Sequence, residues 1–123
     1  EGLQVPWRDI TPQSDWVCDA ESPYFNTWQE RGDPALTRWN EDDVEHLADY
    51  DPTYRYAVVI EYNTPPYVIP DRGCAIFLHC SDHPTSGCIG LLEEDMLETL
   101  LWLDHSKHPH ILITGYQLPE ETQ

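Results

Sequence analysis

The sequence predicts a mainly β chain with one amphipathic helix near its C-terminus and one short helix before its midpoint. Two runs carry the β reading. Residues 56–62, YAVVIEY, are β-branched and aromatic, and residues 74–79, CAIFLH, form a second apolar run. The main helix is expected over residues 93–103. Glu93, Glu94 and Asp95 occupy its first turn, where the helix dipole favours acids, and Met96, Leu97, Leu100, Leu101 and Leu103 recur at helical spacing. It is expected to pack against the sheet. The short helix is expected over residues 40–49, capped by Asn40, with acids in its first turn and Val44, Leu47 and Ala48 as an apolar stripe. Residues 1–40 carry scattered aromatics and four prolines with little periodicity, so they read as irregular. A turn is expected at residues 63–66, a final strand at residues 110–114 closed by Gly115, and a frayed tail at residues 119–123.

A chain of 123 residues fits one domain spanning residues 1–123. Its formal charge of -17, from 23 acidic against 6 basic residues, repels phosphate backbones and anionic membrane surfaces, so nucleic acid is not expected as a partner. The sequence contains no apolar run of about 18 residues and no positively charged leader followed by an apolar stretch, so membrane insertion is not expected.

The chemistry concentrates in residues 73–88, GCAIFLHCSDHPTSGC. A thiol is a nucleophile only as thiolate, and an imidazole within hydrogen-bond reach can take its proton. Cys88 is the candidate nucleophile and His79 its candidate base. Strand alternation sets Ala75, Phe77 and His79 on one face and Cys74, Ile76, Leu78 and Cys80 on the other. His79 then ends the strand, and residues 81–87 supply turn chemistry that can fold Cys88 back toward it. Gly87 has no side chain to block a substrate carbonyl, and it frees backbone N–H groups to face a developing oxyanion. Thr85 and Ser86 either line that hole or hydrogen-bond the loop to itself, the second being preferred for Ser86.

At these residues the chain resembles the L,D-transpeptidase catalytic domain, the YkuD/ErfK type of cell-wall enzyme, whose signature is a histidine followed by [ST]-x-G-C. Here it reads His79, then Thr85-Ser86-Gly87-Cys88. The likeness is greatest to a secreted bacterial subgroup with a short loop between the two catalytic residues. It extends to DWVCDAESPYFNTW, EHLADYDPTYRYAVVIEYN, GCAIFLH, PTSGC and DMLETLLWLD, covering most of residues 3–114. The resemblance implies a barrel or sandwich fold and cysteine-dependent acyl transfer on peptidoglycan stem peptides with 3-3 cross-linking. It also implies an extracellular, cell-wall or periplasmic location, no metal or organic cofactor, and a backbone carbonyl at Cys80 that orients the His79 ring. L,D-carboxypeptidase or amidase chemistry on the same site is the alternative. Three features depart from the pattern. Ser86 stands where many members have a second histidine, Gly90 stands where many have an arginine, and no G-x-x-T-P-x-G segment precedes the catalytic strand. The last implies a fold only partly present, an N-terminally truncated domain with unpaired sheet edges and exposed apolar surface.

Other functional classes remain open. His79, Cys80, Asp82, His83 and Cys88, with His105, His108 and His110 nearby, contain zinc-ligand types, but there is no C-x-x-C spacing. A catalytically inactive wall-binding or structural remnant is a further alternative. Cys74 and Cys80, about 20 Å apart along one strand, are too far apart to bridge, since Cα atoms in a disulfide lie within roughly 7 Å. Cys18 can bridge to one of them, or all three are small buried thiols, the simpler expectation. Trp16 and Trp28 are candidates for stacking on sugars, although burial is the ordinary fate of tryptophan.

Overall fold

Residues 2–32, 37–83 and 88–113 are described by a computed structural model, which folds them into two three-stranded sheets and one α-helix. The first sheet contains β1 (Ser14–Val17), β2 (Thr27–Glu30) and β3 (Val44–His46), with β1 central and both neighbours antiparallel to it. The second contains β4 (Ala57–Val59), β5 (Phe77–Cys80) and β6 (Ile89–Leu91), with β5 central, antiparallel to β4 and parallel to β6. Helix α1 (Glu93–Trp102) follows β6 directly. The β-rich character agrees with the sequence. Among the described residues the sheets are open and close into no barrel.

β1 and β2 lie in the stretch read as irregular. All four residues of β1 are buried although Ser14 and Asp15 are polar, which hides the strand from a hydrophobicity pattern. Burial of Asp15 is tolerable because its carboxylate is paired. Arg31 Nη2 donates to Oδ1 at 2.7 Å and Nε to Oδ2 at 3.2 Å, while His46 Nδ1 lies 2.7 Å from Oδ1. Burial alone raises the Asp15 carboxyl, but these bonds and charges outweigh it and hold it below the ordinary 3.8.

The helix expected over residues 40–49 is replaced by two short 3-10 turns, Glu41–Asp43 and Leu47–Tyr50, flanking β3. Asn40 still caps, its Oδ1 accepting Asp42 N–H at 3.0 Å. Tertiary partners override the local helical cues, and the strand sends consecutive side chains to opposite faces. His46 thereby reaches Asp15 and Glu45 reaches Tyr54. The strand expected over residues 74–79 starts only at Phe77, because Ala75 has φ +57°, a left-handed conformation that breaks the extended run. The strand over residues 56–62 shrinks to β4. Residues 110–113 are not strand, and Thr114, Gly115 and residues 119–123 lie outside the described residues.

Helix α1 matches its expectation to within one residue. Met96 is wholly buried, but Leu97, Leu101 and Trp102 are exposed, so only part of the stripe packs. Ile111, Leu112 and Ile113 are also exposed. No helix of the described residues is long and apolar enough to cross a membrane.

The core between the sheets is Trp16, Leu47, Tyr54, Ala75 and Phe77. The Phe77 ring meets Trp16 and Tyr54 edge-on at 5.0 and 5.4 Å. Two further ties join the sheets. A disulfide links Cys18, after β1, to Cys74, before β5, in place of the buried thiols expected. Asn26, 2% exposed and at φ +58°, accepts Trp16 Nε1–H at 2.8 Å and Ala75 N–H at 3.0 Å. Its amide donates to the carbonyls of Tyr62 and Asn63, so every polar valence of this buried side chain is used.

Candidate active site

The parallel pairing of β5 with β6 sets the geometry. Leu78 pairs with Ile89 and His79 with Gly90, so Cys88, one residue before β6, stands beside Phe77. Two hydrogen bonds fix the thiol there. Phe77 N–H donates to Cys88 Sγ at 3.4 Å, and Sγ donates to Ala75 O at 3.3 Å. By alternation, Phe77, His79 and Cys88 share one face of the sheet. Cys88 and His79 are diagonal neighbours, with a backbone spacing of about 7–8 Å on strand geometry, within reach of side chains.

His79 is 5% exposed, and its Nδ1 lies 3.0 Å from Cys80 O. That bond is the one implied for the Cys80 carbonyl. It assigns the proton to Nδ1 and leaves Nε2 as the free lone pair, the form a base requires. Cys80 N–H donates to Thr53 O at 3.0 Å, anchoring the carbonyl's own peptide. The Cys80 thiol points the other way, with Sγ 3.7 Å from Tyr56 O. Gly90 is exposed and directly beside His79 in register, so no side chain at that position covers the imidazole.

Glu45 and Tyr54 also belong to this neighbourhood. The Tyr54 ring lies 5.6 Å from the His79 ring, and its hydroxyl donates to Glu45 Oε2 at 2.8 Å. Burial, then the bond and charge of Glu45, push the Tyr54 phenol far above its usual range. Burial raises the Glu45 carboxyl despite the Tyr54 bond and the nearby imidazole. The Cys88 thiol is likewise raised, chiefly by burial, against the Phe77 N–H and with a further push from Glu45. At rest the candidate nucleophile is therefore favoured as a protonated thiol. No local sequence signal singles out Glu45, which sits in an acidic run, or Tyr54, which sits in a turn.

Thr85, Ser86 and Gly87 lie outside the described residues. His83 is exposed and bonded to Asp82 at 2.8 Å. Together with Ser81, Gly90, Leu91 and Asp95 these two residues border an open cleft of about 500 Å³ at the ends of β5 and β6. Among the described residues no three or more His, Cys, Asp or Glu side chains converge as metal ligands. Trp16 is in the core and unavailable for stacking, whereas Trp28 is half-buried, with the Arg8 guanidinium 5.0 Å from its ring centroid. No protein-family model, curated protein or solved structure matches the chain.

Proposed function

We propose that the protein is a cysteine acyltransferase of the L,D-transpeptidase kind, acting on peptidoglycan stem peptides. One observation carries the reading: the β5–β6 register brings Cys88 onto the face of His79, whose Nδ1 is engaged by Cys80 O. The Cys18–Cys74 disulfide supports an exported location, since such bonds persist in oxidising compartments.

In the first half-reaction His79 Nε2 takes the Cys88 proton as Sγ attacks the carbonyl of the diamino acid at the third stem position. The C–N bond breaks, the imidazolium gives its proton to the departing D-residue amine, and a thioester remains. An acceptor amine from a second stem then attacks the thioester, the new amide forms, and the sulfur leaves and recovers a proton. Water in place of the amine gives the carboxypeptidase outcome. Backbone N–H groups near Gly87 and Cys88 stabilise the oxyanion in both halves.

The test is intact mass after incubation with a carbapenem, whose strained amide acylates a thiol of this type. One adduct is expected, absent in Cys88→Ala and retained in Cys80→Ala. An adduct that survives Cys88→Ala overturns the assignment. Product analysis with a tetrapeptide stem then separates cross-linked dimer from free tripeptide.

A further inference from the structure

The Cys88 sulfur lies beside the second sheet, but its placement depends on the first. Sγ donates to Ala75 O at 3.3 Å and accepts Phe77 N–H at 3.4 Å. Strand geometry does not aim the Ala75 carbonyl. Ala75 has φ +57°, a left-handed conformation that is costly for a residue with a side chain and persists only where its surroundings hold it. Asn26, in the β1–β2 connection, holds it: Asn26 Oδ1 accepts the Ala75 N–H at 3.0 Å. Asn26 is fixed in turn. The same oxygen accepts Trp16 Nε1–H from β1 at 2.8 Å, and the amide donates to Tyr62 O at 3.1 Å and to Asn63 O at 2.7 Å. Three consecutive contacts therefore run from the first sheet to the sulfur: Trp16 to Asn26, Asn26 to Ala75, and Ala75 to Cys88.

We propose that Asn26 is a positioning residue of the Cys88 site: by holding the Ala75 N–H it keeps Ala75 left-handed, which aims the carbonyl that receives the Cys88 S–H and fixes where the sulfur waits. Asn26 touches no reacting atom and acts through Ala75. Released from Asn26, Ala75 can return to the negative-φ range that side chains prefer, and that rotation swings its carbonyl away from the sulfur. A nucleophile held near its attack position before substrate arrives reacts faster than one that must be gathered in. This purpose rests on the acyl-transfer reading, whereas the chain of contacts does not.

Asn26 also supports the fold, so a loss of stability by itself says nothing about the sulfur. The S–H bond gives a separate readout, because a hydrogen bond lowers the stretching frequency of the bond that donates it. The chain has four cysteines, and with Cys18 joined to Cys74 the substitution Cys80→Ala leaves Cys88 as its one thiol.

The experiment is the infrared S–H band of the full chain carrying Cys80→Ala, recorded at mildly acid pH, where the thiol keeps its proton. Its frequency is expected to lie below that of a thiol dissolved in an apolar solvent; a band at the free-thiol position overturns the inference before any change at residue 26. Asn26→Gly keeps the left-handed backbone of residue 26 but lacks the acceptor, and the band is expected to rise. Asn26→Asp keeps an acceptor oxygen for the Ala75 N–H, and the band is expected to stay where it was. Asp15→Asn loosens the first sheet without a bond to Ala75 and should also leave it in place. A band unmoved in Asn26→Gly, or raised as far by Asp15→Asn, overturns the inference. If Asn26→Gly does not fold, Asn26→Asp decides: a band at the original position upholds the inference and a raised one overturns it. The rate of carbapenem acylation should fall about tenfold in Asn26→Gly, within the scale of a misplaced reacting group, and recover in Asn26→Asp. A chain that takes no adduct yet shows the band shift defeats the acyl-transfer reading and leaves the Asn26–Ala75–Cys88 contacts standing; an adduct without the shift does the reverse.

Discussion

The two sheets are built by different means. Around β1, burial is nearly complete and polar groups are tied: Asp15 is held by Arg31 and His46, and Asn26 uses all its hydrogen-bonding capacity. Around β5 burial is as deep, but helix α1 that follows is largely uncovered. Met96 is the one residue of α1 that is fully buried, while Leu101 is 55% and Trp102 74% exposed. The candidate nucleophile and base sit on this second sheet, along the seam where it meets the first. The contrast sets a tightly tied region against the one that carries the candidate site, and it can be tested by where substitutions hurt.

The largest effect is expected from opening the Cys18–Cys74 bridge, which closes a loop with a sequence separation of 56. Replacing both cysteines by alanine should lower stability by about 4 kcal/mol in the chain-entropy account, measured by denaturant unfolding. Asn26→Ala should cost about 3 kcal/mol, because it strands two buried donors, Trp16 Nε1–H and Ala75 N–H. Met96→Ala should cost a similar amount, about 3 kcal/mol, through the cavity it leaves. Leu101→Ala, on the same helix, should change stability by less than about 0.5 kcal/mol. Equal losses at Met96 and Leu101 would mean that another surface covers the helix in solution.

Acid titration separates the regions by sign. Asp15 has a folded value below 3.8, so its stabilising contribution is present above 3.8 and is lost as pH falls through the folded value. Glu45 has a folded value above 4.5, so its contribution is favourable below 4.5 and is lost as pH rises through the folded value. Stability measured against pH should therefore show a falling component above 4.5 that Glu45→Gln removes and Asp15→Asn leaves in place.

The same division explains what could be read from the sequence. Helix α1 was legible because its period and its acidic first turn are local properties. The placement of Cys88 beside Phe77 follows from a short excursion between adjacent strands, whereas the contact of His79 Nδ1 with Cys80 O was implied only by the family resemblance and not by spacing. β1 was not legible, because Asp15 is tolerated in a buried strand only through Arg31 and His46, 16 and 31 residues away. Residues 40–49 carry helical cues but are committed to β3 by partners on β1 and at Tyr54. Ala75 carries no glycine to announce its left-handed turn, and Asn26, which fixes its N–H, is 49 residues distant.

Ala75 is where scaffold and chemistry meet. Its amide is held by Asn26, its carbonyl receives the Cys88 thiol, and its neighbour Cys74 is cross-linked to Cys18. The sulfur's resting place is thus tied to a residue that the first sheet holds. A change at Asn26 or Cys18, far from Cys88 in the chain, therefore reaches the candidate nucleophile through this single residue.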